Sequence, residues 1–250
     1  MLKFKKSLGQ NFLIDKNICI KITKLTNIKN NEIIEIGPGK GILTDEIIKN
    51  KPKKINIIEK DKNLFNLLIK KYEKIKFIKI VNEDALKYDY GNKNNKRILI
   101  SNLPYNISIK LIINWIKLKN RFGQMILMVQ KEVAEKMNYH NSLKKNRLNL
   151  IMEISSLYNI EFYVSKNVFY PKPKIESAVI KIIPKKNVKV DYENFEKFTR
   201  IIFNYKRKKI SNVINKKFIL KSKINKNILE KRAEDLKTNE LLFIYQNFYN

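Results

Sequence analysis

Short apolar runs alternate with amphipathic stretches along the first 130 residues of the chain. The runs, rich in Ile, lie at residues 33–36, 55–59, 77–81, 97–102 and 124–130. Such continuous apolar runs are typical of strands that are buried on both faces of a sheet. Apolar residues at helical spacing precede or separate these runs, at residues 15–26, 42–49, 61–73 and 107–118. The alternation predicts a parallel, doubly wound α/β sheet.

The pattern changes after about residue 150. A helical stretch at 148–157 leads to two apolar strands, at 160–165 and 177–183, and no helix fits between them. Because the gap contains two prolines, the strands are predicted to form an antiparallel hairpin added to the parallel sheet. Only helical spacing follows. The sequence therefore predicts a sheet domain at residues 1–184 and a small all-helical domain at residues 185–250.

Basic residues dominate the charged composition. The chain of 250 residues has 53 Lys and Arg against 23 Asp and Glu, a formal net charge of +30. Such an excess favours a polyanionic partner, most simply nucleic acid. However, only six of the 53 basic residues are Arg. A Lys excess of this kind is also expected from an A/T-rich genome, so solvated lysine-rich faces are the alternative interpretation.

The composition also limits the compartment and the available chemistry. One Cys and one His cannot supply a disulfide framework or a Cys/His metal cluster. No apolar run approaches the roughly 18 residues of a membrane span. The N-terminal stretch lacks the apolar core of a signal peptide. These features predict a cytoplasmic protein with neither a membrane nor a metal partner.

A glycine-rich turn follows the first strand, and polar side chains follow the next three. The turn is GPGKG, with Gly37, Gly39 and Gly41. Glycines there let a ligand approach the backbone at a helix N-terminus. At the same sheet edge, Glu59 could bind ribose hydroxyls, Asp84 could accept a hydrogen bond from an adenine amino group, and Asn102 ends the fourth strand. The arrangement predicts a nucleoside-containing ligand, although the G-x-G-x-G spacing differs from the dinucleotide fingerprint and no P-loop follows. The alternative is a tight strand-to-helix turn without a ligand, with Glu59 and Asp84 as solvated loop acids.

The fourth strand ends in NLPY, with Asn102, Leu103, Pro104 and Tyr105. An exocyclic amine of a base is a poor nucleophile because its lone pair is delocalised into the ring. Two acceptors can bind its hydrogens and hold the lone pair toward an electrophile: the Asn102 amide oxygen and the backbone carbonyl before Pro104. The Tyr105 ring can stack on the base. NLPY therefore predicts positioning chemistry at a base amine, without a metal or covalent intermediate. The alternative is a strand ended by Pro with an incidental aromatic.

Nine segments between Gly9 and Leu236 carry a resemblance to a known family. They are GQNFL (9–13), EIGPGKGILT (35–44), IEKD (58–61), EDAL (83–86), NLPYNIS (102–108), QKEVAEKM (130–137), VFYPKPKIESAVIKI (168–182), FNYKRKKISN (203–212) and RAEDL (232–236). Together they resemble the ribosomal RNA adenine dimethyltransferases, which are class I S-adenosylmethionine-dependent methyltransferases. Within that family the chain is most similar to the bacterial branch that acts in small-subunit ribosome biogenesis. The resemblance implies a Rossmann-like sheet with an antiparallel last strand.

The resemblance also implies roles for the matching residues. S-adenosyl-L-methionine would be bound by Asn11, Leu13, Gly37, Gly39, Gly41, Glu59, Asp84 and Asn102. The target adenine would be held by Asn102, Leu103, Pro104 and Tyr105, with Phe169 stacking on the face opposite Tyr105. The enzyme would dimethylate two adjacent, flipped-out adenosines near the 3' end of small-subunit rRNA. It would act as a monomer on the small ribosomal subunit, and phosphates would be contacted by Lys206, Arg207, Lys208 and Lys209. A solvated basic helix face is the alternative for that last segment.

Three other functions stay open on the sequence. The sister class that methylates large-subunit RNA shares the fold and most motifs, although it more often has an Ile before the Pro. A non-catalytic RNA- or DNA-binding relative would keep the fold, but the complete set of cofactor residues argues against it. A nicotinamide-dependent oxidoreductase is disfavoured by the glycine spacing.

Five further positions have an expected role or environment. Lys145-Asn146 stands where the family commonly has Tyr-Gly, which leaves the local turn and an RNA contact open. Trp115 and Cys19 are expected to be core residues, and His140 is expected to be exposed.

Overall fold

The computed structural model describes residues 11–91, 97–118, 121–140, 144–188, 190–205, 207–214 and 224–249. They form two compact units. The first unit contains the chain up to Glu135 together with Ser156–Lys186, and the second contains Lys136–Ser155 together with the chain from Asn187 onward. Lys136–Ser155 is thus grouped with the C-terminal helices, whereas the sequence-based division at 184/185 places it with the sheet.

A seven-stranded sheet forms the centre of the first unit. A separate two-stranded pair is formed by β1 (Phe12–Leu13) and β8 (Phe169–Tyr170). The large sheet contains β2 (Glu32–Ile36), β3 (Lys54–Ile58), β4 (Ile78–Val81), β5 (Ile98–Asn102), β6 (Gln124–Gln130), β7 (Ser156–Val164) and β9 (Ser177–Pro184).

The order of the strands across the sheet is β4-β3-β2-β5-β6-β9-β7. The strands from β2 to β6 pair in parallel, and β9 is antiparallel to both β6 and β7. The predicted parallel sheet and the antiparallel hairpin are thus both confirmed. Strand β7 begins at Ser156, so the helix predicted at 148–157 ends two residues earlier than expected.

A helix precedes the first of the parallel strands, and helices follow most of these strands. They are α1 (Lys16–Thr23), α2 (Ile42–Lys49), α3 (Lys62–Tyr72), α4 (Ser108–Lys117) and α5 (Lys131–Met137). The first three pack on one face of the sheet, where Cys19, Ile47 and Leu68 are fully buried in one cluster with Ile33 and Ile57. Neighbouring residues of a strand point to opposite faces. Ile34, Leu99, Met125 and Leu127 are also buried, so both faces are covered.

Two of the residues given a structural interpretation lie in this core, as predicted. Trp115 is 1% exposed and Cys19 is fully buried. Burial raises the pKa of the Cys19 thiol to about 12, so the side chain remains a neutral thiol at physiological pH. His140, in contrast, is exposed. All three predictions are confirmed.

The second unit is helical. It contains α6 (Arg147–Ser155), α7 (Tyr192–Asn204), α8 (Ile210–Ile214), α9 (Lys226–Leu229) and α10 (Thr238–Tyr249). The rings of Phe195, Phe198 and Tyr245 contact one another with centroids 5.3–6.2 Å apart, which joins α7 to α10. Arg147 of α6 pairs with Glu196 of α7 at 2.8 Å. These contacts explain why the segment that contains α6 belongs with the C-terminal helices.

Lys145 and Asn146, which replace the expected Tyr-Gly pair, have a structural role at the start of α6. The Asn146 side-chain oxygen accepts the backbone N–H groups of Leu148 and Asn149, at 2.8 and 2.9 Å. In return, the Asn149 side-chain oxygen accepts the N–H of Asn146 at 2.8 Å. This reciprocal pattern caps the helix N-terminus. Lys145 forms an ion pair with Glu153, which also accepts a hydrogen bond from Thr238. Both residues therefore stabilise the second unit.

The described residues contain neither a membrane-spanning helix nor a metal site. No helix in them has the length and apolar character needed to cross a membrane. Nor do they contain three or more His, Cys, Asp or Glu side chains grouped so as to hold a metal ion.

Candidate active site

A cavity of about 220 Å³ opens at the carboxyl edge of the parallel strands of the first unit. It is formed by the N-terminal segment, the turn after β2, the ends of β3 and β5 and the loop after β4. The residues proposed from the sequence that line it are Asn11, Leu13, Gly37, Gly39, Glu59, Asp84, Asn102, Leu103, Pro104 and Tyr105. Open α/β sheets bind ligands in this place because the strand order reverses there.

The glycine turn has backbone conformations that favour glycine. Gly37, Gly39 and Gly41 have φ angles of +58°, +61° and +79°. A Cβ atom on Gly39 would lie 2.5 Å from the Phe12 ring, so this glycine lets the N-terminal segment pack directly on the turn. A Cβ atom on Gly41 would overlap the Tyr72 hydroxyl, which donates to the Gly41 carbonyl at 2.9 Å. Gly41 thus lets the turn pack directly against Tyr72 of α3, whereas Gly37 and Gly39 border the cavity.

The two acids after β3 and β4 have opposite electrostatic environments. Glu59 is 6% exposed and accepts the backbone N–H of Asp61 at 2.8 Å. Burial raises the pKa of Glu59 to about 7. Asp84 is more exposed, pairs with Lys60 at 2.9 Å and accepts the N–H of Leu86 at 2.9 Å. The hydrogen bond from Lys60 lowers the pKa of Asp84, so Asp84 is ionised at neutral pH.

Glu35 is a cavity residue to which the sequence analysis gave no role. It is 1% exposed, and one oxygen, Oε2, accepts the Thr44 hydroxyl at 2.7 Å. The other oxygen, Oε1, is buried without a partner among the described residues. Burial raises the pKa of Glu35 to about 8. The signal was present in the sequence, because a Glu inside the apolar run IIEI breaks a pattern that otherwise predicts a wholly apolar strand.

Asn102 lines the same cavity. It is the last residue of β5, and its side-chain nitrogen donates to the Asn11 carbonyl at 3.2 Å. Its side-chain oxygen, Oδ1, is buried with no hydrogen-bond partner in the described part of the chain. A buried acceptor without a donor is unfavourable unless a ligand supplies one. The next residue, Leu103, is 2% exposed, and its N–H donates to the Met128 carbonyl at 3.0 Å. The backbone that carries Asn102 is therefore fixed by β6.

Phe169 has a different position from the other proposed site residues. It pairs with Leu13 in the small β1–β8 ladder. Its side chain is 3% exposed and packs in the cluster that contains Leu13, Ile100, Met128 and Val179. Phe169 does not belong to the cavity wall. In this conformation the Phe169 side chain is part of the core and its ring is not accessible to a base.

The proposed RNA-contacting segment lies in the second unit. Arg207, Lys208 and Lys209 are exposed in the turn between α7 and α8, and Lys206 lies outside the described residues. These described residues form a turn and not a helix face, and their exposure fits both the RNA-contacting role and the solvated alternative. Lys209 pairs with Glu230 at 2.5 Å, and the Lys208 ammonium lies 5.3 Å from the centroid of the Tyr205 ring.

The fold and the cavity together define a class of protein. A seven-stranded Rossmann-like sheet with a reversed strand beside its edge strand, and a glycine turn after its first long strand, is the architecture of a Rossmann-like methyltransferase.

Comparison with known proteins narrows this class. Residues 1–248 match the family model described as ribosomal RNA adenine dimethylase. A ribosomal RNA small subunit methyltransferase A from Pelagibacter ubique (strain HTCC1062) is 39% identical over 224 residues, which cover 87% of this chain and 85% of the relative. The chain therefore belongs to the ribosomal RNA adenine dimethylase family and is a methyltransferase.

Two solved structures are similar in fold. A dimethyladenosine transferase from Plasmodium falciparum superposes with a TM-score of 0.77 at 26% identity, covering 94% of this chain and 97% of the other. The 23S rRNA methyltransferase ErmE superposes with a TM-score of 0.72, covering 96% of this chain and 100% of the other. Its identity is 18%, so the likeness to ErmE concerns the fold alone.

Proposed function

We propose that this chain dimethylates two adjacent adenosines near the 3' end of small-subunit rRNA during ribosome biogenesis, with S-adenosyl-L-methionine as methyl donor. The observation that carries the proposal is the buried Oδ1 of Asn102, a cavity residue like Tyr105, which has no hydrogen-bond partner among the described residues. The small-subunit substrate is supported by the 39% identical relative, which bears the name of a small-subunit methyltransferase.

The cavity residues fit the proposed cofactor. S-adenosyl-L-methionine supplies a methyl group on a positively charged sulfonium. Glu59 would accept hydrogen bonds from the ribose hydroxyls, and Asp84 would accept one from the adenine amino group. Glu35 Oε1, which is buried and without a partner in the described residues, would accept from the ammonium group of the amino-acid part, whose positive charge favours the ionised carboxylate. Gly37 would let that part approach the backbone, and Asn11 and Leu13 would cover it.

The target amine would be oriented by NLPY. Asn102 Oδ1 would accept one of its hydrogens and the Leu103 carbonyl the other, which turns the lone pair toward the methyl donor. The same two acceptors stabilise the positive charge that develops on the nitrogen during transfer. Tyr105 would stack on the flipped base, and Pro104 would keep the loop rigid. No proton has to leave the amine before the methyl group arrives.

The proposed stacking by Phe169 requires a conformational step. Its ring is 3% exposed, so a base on that face would have to displace the β8 segment from Leu13 and its neighbours. Because β8 pairs with β1, such a displacement would also move the N-terminal segment that borders the cavity. Phe169 is accordingly proposed to act in the RNA-bound state and to be a core residue otherwise.

The experiment is methyl transfer from labelled S-adenosylmethionine to small and large ribosomal subunits that lack adenine dimethylation. Label in dimethyladenosine of the small subunit alone would support the proposal. Label in the large subunit would instead assign the chain to the sister class. Binding of S-adenosylmethionine without transfer to either subunit would refute the enzymatic role proposed for these substrates.

The role of Asn102 is tested in the same assay. Asn102→Ala removes the proposed acceptor and should lower transfer at least about 100-fold, in the range of other preorganised electrostatic contacts. Asn66→Ala, at an exposed position of α3, is the matched control and should leave transfer unchanged. Full transfer by Asn102→Ala would eliminate the acceptor mechanism.

A further inference from the structure

The hydroxyl of Tyr105 forms a hydrogen bond with the Ser177 hydroxyl at 2.6 Å. Ser177 is fully buried and is the first residue of β9. Tyr105 is partly exposed in the loop between β5 and α4 and borders the cavity. The hydrogen bond therefore joins a proposed base-stacking residue to a strand that is 72 positions away in the sequence.

The reversed direction of β9 explains this contact. Asn102 is paired with Met128 of β6, and Met128 is paired with Val179 of β9. Because β9 is antiparallel, Ser177 lies two residues beyond Val179 toward the carboxyl edge, level with Gln130 at the end of β6. A parallel strand would begin at the opposite edge of the sheet, far from the cavity. The reversed strand is thus what brings a buried serine within reach of Tyr105.

Ser177 is also a rigid anchor. It is paired with Gln130 on one side and with Val164 of β7 on the other. The preceding residue, Glu176, accepts the backbone N–H of Lys131 at 3.0 Å and forms an ion pair with its ammonium at 3.0 Å. Burial raises the pKa of Tyr105 above its ordinary value of 10. The phenol is therefore protonated at neutral pH and keeps the proton that the hydrogen bond needs.

We propose that Ser177 is a positioning residue, which fixes the ring of Tyr105 in the orientation that stacks on the target adenine. A tyrosine ring at the rim of a cavity can rotate about its side-chain torsions. A hydrogen bond at its far end restricts that rotation before the base arrives, which reduces the entropy that binding must supply. This inference rests on the proposed function, because it takes the base-stacking role of Tyr105 as given.

The test removes the hydrogen bond from each side. Ser177→Ala and Tyr105→Phe should each lower kcat for methyl transfer about three- to tenfold, the loss that corresponds to one neutral hydrogen bond. KM for S-adenosylmethionine should stay unchanged. The double variant should be no slower than the slower single variant, because both changes break the same contact. Ser177→Thr retains the hydroxyl and should recover most of the rate.

Two controls separate positioning from packing. Ser156→Ala removes another fully buried serine hydroxyl from the same sheet and should not change kcat. Tyr105→Phe leaves Ser177 and the buried volume intact, so it reports on the hydrogen bond even if Ser177→Ala folds poorly. Independent, multiplying losses in the double variant, or full activity of Tyr105→Phe, would overturn the inference.

Failure of the inference can be distinguished from failure of the proposed function. If Tyr105→Ala abolishes transfer while Tyr105→Phe and Ser177→Ala keep the parent kcat, stacking is retained and only the positioning role of Ser177 is refuted. If Tyr105→Ala retains full transfer, the stacking role itself is refuted.

Discussion

The carboxyl group of Glu35 makes the stability of the protein depend on pH in a defined window. Glu35 is 1% exposed, and burial raises its pKa to about 8 from the ordinary value of 4.5. Between these two values the folded chain holds a proton that the unfolded chain releases. The contribution of Glu35 to the free energy of unfolding therefore falls as the pH rises from about 4.5 to about 8, and it is constant above that range. The Glu35→Gln substitution keeps the shape of the side chain and removes its titration.

The expected magnitude follows from the two pKa values. Each pH unit between them is worth about 1.4 kcal/mol. From pH 6 to pH 8 the contribution of Glu35 falls by this amount per pH unit, and from pH 8 to pH 9 it is nearly constant. Over the whole interval Glu35 therefore lowers the free energy of unfolding by about 3 kcal/mol. In the Glu35→Gln variant this loss is absent. The new amide changes the free energy of unfolding by the same amount at every pH. The free energy of unfolding of the variant minus that of the parent should therefore increase by about 3 kcal/mol between pH 6 and pH 9.

Urea denaturation at pH 6, 7, 8 and 9 measures this difference. Glu73→Gln is the matched control, because Glu73 is exposed at the end of α3 and should show the slope of the parent chain. Parallel curves of unfolding free energy against pH for the parent and Glu35→Gln would refute the reasoning. Such a result would mean that Glu35 is solvated or paired in the folded protein, and the ammonium site proposed at Oε1 would lose its support.

Three further outcomes are expected. Since Glu59 has a pKa of about 7 and an ionised carboxylate is the stronger acceptor for ribose hydroxyls, the Kd for S-adenosylmethionine should rise up to about tenfold per pH unit below 7, and calorimetry should find this dependence weakened in Glu59→Gln. Asn146→Ala should lower the free energy of unfolding by about 1 kcal/mol and Asn146→Gly by only a few tenths, because glycine is tolerated at a helix N-cap; equal losses in urea denaturation would contradict the capping role. Replacing Arg207 and Lys208 together with Ala should reduce the slope of log K for rRNA binding against log salt by about 2, and an unchanged slope would show that these side chains do not contact phosphates.

Part of the site could be predicted because it depends on local chemistry. Glycines in a strand-to-helix turn, acids after strands, and an Asn-Pro-aromatic combination at a strand end act through short stretches of backbone. Parallel strands bring their carboxyl ends to one edge, so Gly37, Glu59, Asp84 and Asn102 could be grouped before any contact was known. The apolar runs were sufficient for the sheet itself, because strands buried on both faces require continuous apolar sequence.

Other features could not be predicted because they arise from contacts between distant segments. The buried state of Phe169 depends on the β1–β8 ladder, which joins residues more than 150 positions apart. The pKa of Glu35 depends on how completely the helices cover β2, and a sequence does not report burial at a single polar position. The grouping of Lys136–Ser155 with the C-terminal helices depends on pairs such as Arg147 with Glu196.

The sequence by itself determined the family, the methyltransferase sheet with its reversed strand, and the residues that end its strands, because periodicity and short motifs are properties of neighbouring residues. Only the tertiary structure decided which acceptors are left without donors and which ring is buried. It also decided which serine reaches Tyr105. The physical reason is that desolvation and hydrogen-bond satisfaction depend on what surrounds an atom in three dimensions. That environment is established when β9 enters the sheet antiparallel to β6 and brings Ser177 within hydrogen-bond distance of Tyr105.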